Sequence, residues 1–196
     1  MYRFFVIAAF MLFAHERGSI DPSIVKQKKE FEKMSVRNEK FILPLREGET
    51  PEIGKVPPQL QYSDKSPREI YKKLHDWMFS TFPKVRKEAT RISVPTTVAM
   101  WLDENEDVGH IDAFMIPPGG REFTHLHLDG SIHTIVATEV ENEIMDKKWG
   151  VRHMFYDQGI KEILVYAPRD ENDLEVIKKV IIKSYEYATG LTFNQQ

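Results

Sequence analysis

The stretch that most constrains this chain runs Arg121-Glu122-Phe123-Thr124-His125-Leu126-His127-Leu128-Asp129-Gly130-Ser131-Ile132-His133-Thr134-Ile135-Val136. Two runs of strand-forming residues flank Asp129-Gly130, a pair suited to the positive-φ positions of a tight turn, so the stretch predicts a β-hairpin. It also gathers three of the seven histidines into nine residues. His125 and His127 are two apart and share a face on a strand. The direction of His133 depends on the loop. A two-residue Asp-Gly loop pairs Ile132 with His127 and turns His133 away. A three-residue loop over Asp129–Ser131 pairs His133 with His127 and gathers all three. A one-residue change of register flips every side chain, so both arrangements stay open.

The flanking sequence predicts the elements that support the hairpin. Ser66-Pro67-Arg68-Glu69 starts a helix, with the serine as cap and Glu69 closing a capping box. Its apolar stripe is Ile70, Leu74, Trp77 and Met78, and Pro83 stops it. Strands are expected over Arg91–Leu102 and His110–Ile116, separated by an acidic turn at 103–107, and Pro117-Pro118-Gly119-Gly120 leads into the hairpin. Thr138-Glu139-Val140-Glu141 is a second capping box, opening a helix that ends near Trp149-Gly150. A loop then leads to a strand over Glu162–Ala167. A long helix follows from Asp170 to a glycine cap at Gly190. The fold class is α+β: an antiparallel sheet of about five strands with helices packed on one face.

An N-terminal hydrophobic and helical extension precedes this domain. Residues 4–14 are eleven apolar residues after one early arginine, which suits a signal or anchor segment over 1–20. The run is shorter than the roughly 20 residues of a bilayer-spanning helix. Export or membrane association through residues 4–14 therefore stands level with a cytoplasmic location. A charged connector helix is expected over 21–41, the main domain over 42–190 and a tail over 191–196. Within the domain, five prolines and two glycines between 42 and 67 predict an extended strap rather than a regular element.

A net charge of −3 argues against a nucleic-acid partner. With no cysteines, disulfides, thiolate metal sites and a cysteine nucleophile are excluded. The chain has no G-x-G-x-x-G, Walker loop, G-x-S-x-G elbow or H-E-x-x-H, which disfavours an organic nucleotide cofactor and serine hydrolase chemistry. His125, His127 and His133 can form a facial site for a divalent metal, because neutral imidazoles suit iron, zinc or copper. One of them can instead serve as a metal-free general base, or all three can be structural. Arg152 with His153, and Arg169, are candidates for recognising an anion or enolate, because guanidinium offers a fixed fork of donors.

Four segments in order resemble the fungal luciferases and their bacterial luciferase-like relatives. They are Leu43-Pro44-Leu45-Arg46-Glu47-Gly48 with Thr50-Pro51, Glu122–His127 with Ser131-Ile132-His133, Lys148-Trp149-Gly150-Val151-Arg152-His153, and Tyr166-Ala167-Pro168-Arg169-Asp170-Glu171. The resemblance implies an enzyme that oxidises a hydroxy-pyrone-like small molecule with O₂ as co-substrate and no organic cofactor. By position it points to His125, His127, His133, Arg152, His153 and Arg169 as catalytic residues, with Trp149 and Tyr166 binding substrate. The spacing from His127 to His133 is shorter than in the fungal enzymes, and Met154 replaces a frequent proline. The Asp-Gly-Ser version of the hairpin is nearer to the bacterial relatives, so light emission does not follow from the resemblance. The leading expectation is oxidation of an aromatic or enolic small molecule. A metal-dependent enzyme built on the three histidines and a non-catalytic, envelope-associated binding module are the alternatives.

Overall fold

Antiparallel pairing organises the domain around the histidine hairpin. The structure, a computed structural model, describes residues 40–115 and 120–193. The segment 1–20, the connector helix as far as residue 39, Ile116 at the end of an expected strand, the turn residues Pro117, Pro118 and Gly119, and residues 194–196 lie outside the described residues. The elements are α1 (Arg68–Thr81), β1 (Val85–Ala89), β2 (Val98–Leu102), β3 (Glu122–Leu126), β4 (Ile132–Thr134), α2 (Thr138–Asp146), β5 (Gly150–Arg152), β6 (Ile163–Val165) and α3 (Glu171–Thr189). The strands form one antiparallel sheet in the order β1-β2-β3-β4-β6-β5. The α+β class is as expected, with six strands among the described residues rather than about five.

Three local expectations fail for identifiable reasons. The long strand expected over Arg91–Leu102 is an irregular loop followed by β2, because Pro95 has no N–H to donate to a ladder. His110–Met115 forms a single 3₁₀ turn over Ile111–Ala113, with His110 Nδ1 accepting from the Asp112 N–H. Neither capping box forms. The Ser66 hydroxyl donates to the Pro168 carbonyl (2.6 Å). Glu141 turns to Arg152 and Tyr156. A lost cap costs about 1 kcal/mol, less than burying either Leu74 or Met78 contributes at about 1.5–3 kcal/mol each. Tertiary burial therefore holds α1 without its cap. Helix α3 has the ends expected, with Asp170 accepting from the Asp173 N–H and Gly190 at φ 69°.

The hairpin loop is Leu128-Asp129-Gly130, one residue earlier than the three-residue alternative. His127 and Ser131 close it, with the His127 N–H donating to the Ser131 carbonyl (2.9 Å) and the Gly130 N–H to the His127 carbonyl (3.0 Å). Gly130 takes φ 93°, and the Asp129 carboxylate accepts from the Ser131 N–H (2.8 Å). This is a turn followed by a glycine bulge. His125 thus faces His133 directly, and Thr124 faces Thr134. A second irregularity shapes the site. Met100 pairs with Thr124 and Trp101 with Glu122, which leaves Phe123 extra on β3. The bulge lets Phe123 join the apolar core while Glu122 shares the face of His125.

The two faces of the sheet have different work. One carries Met100, Phe123, Leu126, Ile132, Ile163 and Val165 into the core formed with the three helices. There the Ser184 hydroxyl of α3 bonds with the hydroxyls of Thr124 and Thr134. The other face carries the histidines and is covered by the proline-rich strap and the loop between β1 and β2. The strap is held at several points. The Leu43 N–H donates to Glu143, the Trp149 indole N–H to the Pro44 carbonyl (2.7 Å) and the Ser66 N–H to the Asp129 carbonyl (2.9 Å), and Gln61 Oε1 accepts from the Ala167 N–H.

A Cβ at Gly130 would lie 2.2 Å from Ser66 Oγ at a φ unfavourable to any other residue. Gly130→Ala is expected to destabilise the domain by at least the roughly 1–3 kcal/mol of a strained left-handed residue. Urea unfolding measures this, and a midpoint unchanged from wild type would show that the turn and strap yield without cost.

Candidate functional site

The sequence folds three imidazoles into a triangle. His125 and His127 project from the same face of β3, and His133 arrives from β4 because His125 and His133 are register partners. The ring centroids are 5.0 Å apart for His125 and His127, 5.1 Å for His125 and His133, and 5.0 Å for His127 and His133. One ring nitrogen from each can be chosen so that all three lie within 4.8 Å of one another. All three residues are at most 4% exposed.

Carboxylates stand behind two of the rings. His125 Nδ1 is 2.8 Å from Glu122 Oε1, and His133 Nδ1 is 3.5 Å from Glu162 Oε2, at the limit of hydrogen bonding. A carboxylate accepts, so Nδ1 of His125 carries a proton directed at Glu122, and Nε2 lies on the other side of the ring. Nε2 of His125 and Nε2 of His133 are buried without a partner. His127 is held by hydroxyls, with Nδ1 3.0 Å from Ser131 Oγ and Nε2 3.2 Å from Ser93 Oγ. A fourth imidazole, His153, sits with its centroid 5.5 Å from His133 and accepts at Nδ1 from the Phe155 N–H.

Burial favours the neutral form of His127, His133 and His153. It pushes His127 down to about 3, with repulsion from His125 adding to the effect. Burial also sets His133 well below the ordinary histidine range, helped by repulsion from its three histidine neighbours. His153 is lowered by burial and then by His125. Glu162 moves the other way, raised to about 7 by burial and by the nearby Glu122. Neutral imidazoles are the form that binds metal.

The remaining residues singled out from the sequence lie elsewhere. Arg152 pairs with Ile163, which pairs with Thr134 on the helix side of the sheet, and its Nε donates to Glu141 (2.7 Å). Arg169 Nε donates to Asp173 (2.6 Å) and its Nη1 to the Glu47 carbonyl (2.9 Å), so it braces the strap against α3. Trp149 is buried in the core and bonded to Pro44. Tyr166 is buried beneath the Arg46 guanidinium, which lies 5.2 Å from its ring centroid. The structure thus joins His153 to the three histidines and places Glu162, Ser93 and Ser131 beside them. Only spacing relative to the hairpin could have suggested Ser131. Glu162 and Ser93 come from distant segments.

Three cavities adjoin or approach the cluster. One of about 350 Å³ is lined by His133, His153 and Glu162 together with Pro57, Pro58, Gln59, Phe155 and residues Arg91, Ile92 and Ser93. A second, about 280 Å³, opens beside His127. A larger cleft, about 810 Å³, meets the cluster only through Glu162.

Comparison with known proteins bears on the same stretch. The family model for the Luciferase domain matches residues 120–184, a span that contains His125, His127, His133, His153 and Glu162. Over this stretch the chain is similar to the luciferases. A luciferase of Neonothopanus nambi is 25% identical over 173 residues, covering 76% of this chain and 61% of the relative. Luciferases of Armillaria gallica and Armillaria mellea are each 33% identical over 77 residues, covering 36% of this chain and 29% of theirs. The chain therefore spans less than two thirds of the length of these luciferases. No solved structure matches it.

The luciferase-like domain makes a pH prediction. The native state holds His127 neutral, so the unfolded chain binds the proton more readily between 6.5 and about 3. His127 therefore contributes stability that is full above 6.5 and is lost as pH falls through that window. Glu162 opposes it, contributing stability below 4.5 that is lost as pH rises through about 7. Urea unfolding of wild type and His127→Gln across this range isolates the histidine: the variant is expected to lose less stability on acidification. Parallel curves would show that His127 titrates as an ordinary exposed histidine.

Proposed function

We propose that this luciferase-like domain is a small oxygenase-type enzyme. In this reading His125, His127 and His133 hold a divalent transition metal, and an aromatic or enolic small molecule is oxidised with O₂ in the cavity beside His133. The observation that carries the reading is the pair of buried, unpartnered Nε2 atoms on His125 and His133. A buried polar atom without a partner costs about 1–3 kcal/mol. Two such atoms, turned toward a third neutral imidazole and backed by carboxylates, fit a cation better than they fit a core. The likeness of the histidine hairpin to that of the fungal luciferases supports the oxidation.

The donor set fits the metal chemically. Three imidazoles without thiolates suit iron, copper, nickel or zinc. Glu122 and Glu162 would fix the tautomers of His125 and His133 and make the rings better donors. Ser93 Oγ, which meets Nε2 of His127, is a neutral partner on an irregular loop. Its displacement costs about 1 kcal/mol. When bound, the metal supplies Lewis acidity and redox access to O₂. His153 accepts at Nδ1, so its neutral ring carries a proton at Nε2 and donates to a substrate oxygen. Pro57, Pro58, Ile92 and Phe155 would exclude water from the reacting face. A metal-free reaction with His133 as base is disfavoured by the burial that makes His133 hard to protonate.

Metal analysis by plasma mass spectrometry on tag-free protein tests this, together with oxygen uptake on hydroxy-pyrones and catechols. Wild type is expected to hold about one metal per chain and to consume O₂, and His125→Ala and His133→Ala to lose both. Glu122→Gln is expected to weaken metal affinity about 10- to 100-fold. Wild-type protein that takes up no metal and no oxygen across the panel sinks the reading.

A further inference from the structure

We propose that Arg91 is the anion-recognising residue of the cavity beside His133, with Phe155, Pro57 and Pro58 as the walls that hold a planar ring. The site would then take a flat aromatic or enolic anion whose charged oxygen meets the Arg91 guanidinium. The assignment rests on the proposed function only in taking this cavity as the substrate cavity.

Arg91 is fixed to the histidine cluster through its backbone. Its N–H donates to Glu122 Oε2 (3.3 Å), and the preceding Thr90 hydroxyl donates to Glu122 Oε1 (2.7 Å). The same carboxylate anchors His125. Two residues on, Ser93 Oγ meets His127 Nε2. The loop that bears Arg91 is therefore pinned at two points to the imidazole triangle, and a ligand held by Arg91 is held relative to that triangle.

The side chain is prepared for an anion. Its guanidinium stacks on the buried Trp101 ring, with the guanidinium carbon 4.7 Å from the ring centroid. Stacking fixes the plane of the group and leaves its edge donors free. Among the described residues no carboxylate pairs with it. Arg152 and Arg169 differ: each is ion-paired with a carboxylate through its Nε. Glu162, the carboxylate in this cavity's lining, faces His133 instead.

The walls suit a ring. Phe155 is 40% exposed, a large aromatic surface without cover at the cavity rim, and its ring packs edge-on to His153. Pro57 and Pro58 contribute rigid apolar surface to the same lining. Gln59, in that lining too, is 5% exposed, and its side-chain carbonyl has no hydrogen-bond partner, so its amide is available to a ligand hydroxyl after rotation. A volume of about 350 Å³ accepts a two-ring molecule.

Calorimetric titration of the full chain near neutral pH tests the assignment. The probes are 4-hydroxycoumarin, whose enol is ionised there, and its neutral ether 4-methoxycoumarin. Wild type is expected to prefer the enolate about tenfold or more. Arg91→Met is expected to abolish the preference while leaving ether affinity unchanged, and Arg91→Lys to restore part of it. Phe155→Ala is expected to weaken both probes alike. A preference retained in Arg91→Met, or absent from wild type, overturns the assignment. Ether affinity serves as the internal check that the Arg91 variants are folded. Binding needs no turnover, so the two readings fail separately. An enolate preference that depends on Arg91 survives protein that takes up no oxygen, and an active oxygenase indifferent to Arg91 loses only this assignment.

Discussion

The three-residue turn at Leu128-Asp129-Gly130 sets the register on which the site depends. With Gly130 in the left-handed region, His125 is paired with His133, and all three imidazoles fall on one face of the sheet. A loop one residue shorter would have turned His133 into the core and brought Ile132 among the histidines. The turn is itself held from outside. Ser66 and Gln61 of the strap donate to Asp129, and Gly130 leaves no room for a side chain beside Ser66. Register, strap and histidine triangle are one coupled arrangement.

The bulge at Phe123 completes it. An unbroken strand would set Phe123 on the histidine face and Glu122 in the core. With one extra residue, the aromatic ring goes to the core and the carboxylate reaches His125. Glu122 then also holds Thr90 and Arg91, so a single buried carboxylate orders an imidazole and the loop covering it. This is a costly construction for a structural core, because carboxylates and imidazoles both resist burial. A bound cation would relieve much of that cost, which is the physical basis of the metal site proposed for the cluster.

The arginines first associated with the cluster lie away from it. Arg152 and Arg169 lie near the histidines in the order of family-like motifs, yet Arg152 is on the helix side of the sheet and Arg169 ties the strap to α3. Motif order reports which segments converge, not which side of a strand each residue takes. Arg91, in a segment that reads as strand, sits on the loop over the site.

The sequence by itself determined the α+β class, the hairpin, both ends of α3 and the three histidines, because periodicity, turn residues and caps are local properties. It left the register open, since two loop lengths fit the same Asp-Gly pair. It misplaced the expected strand at 91–102, where Pro95 breaks the ladder. It did not reveal that Glu162 and Ser93 join the site, because those contacts close over long separations and depend on which face each strand presents. Only the tertiary structure decided that two capping residues would be used elsewhere. The long-range contacts of Ser66 and Glu141 and the burial of the helix faces outweigh a single cap.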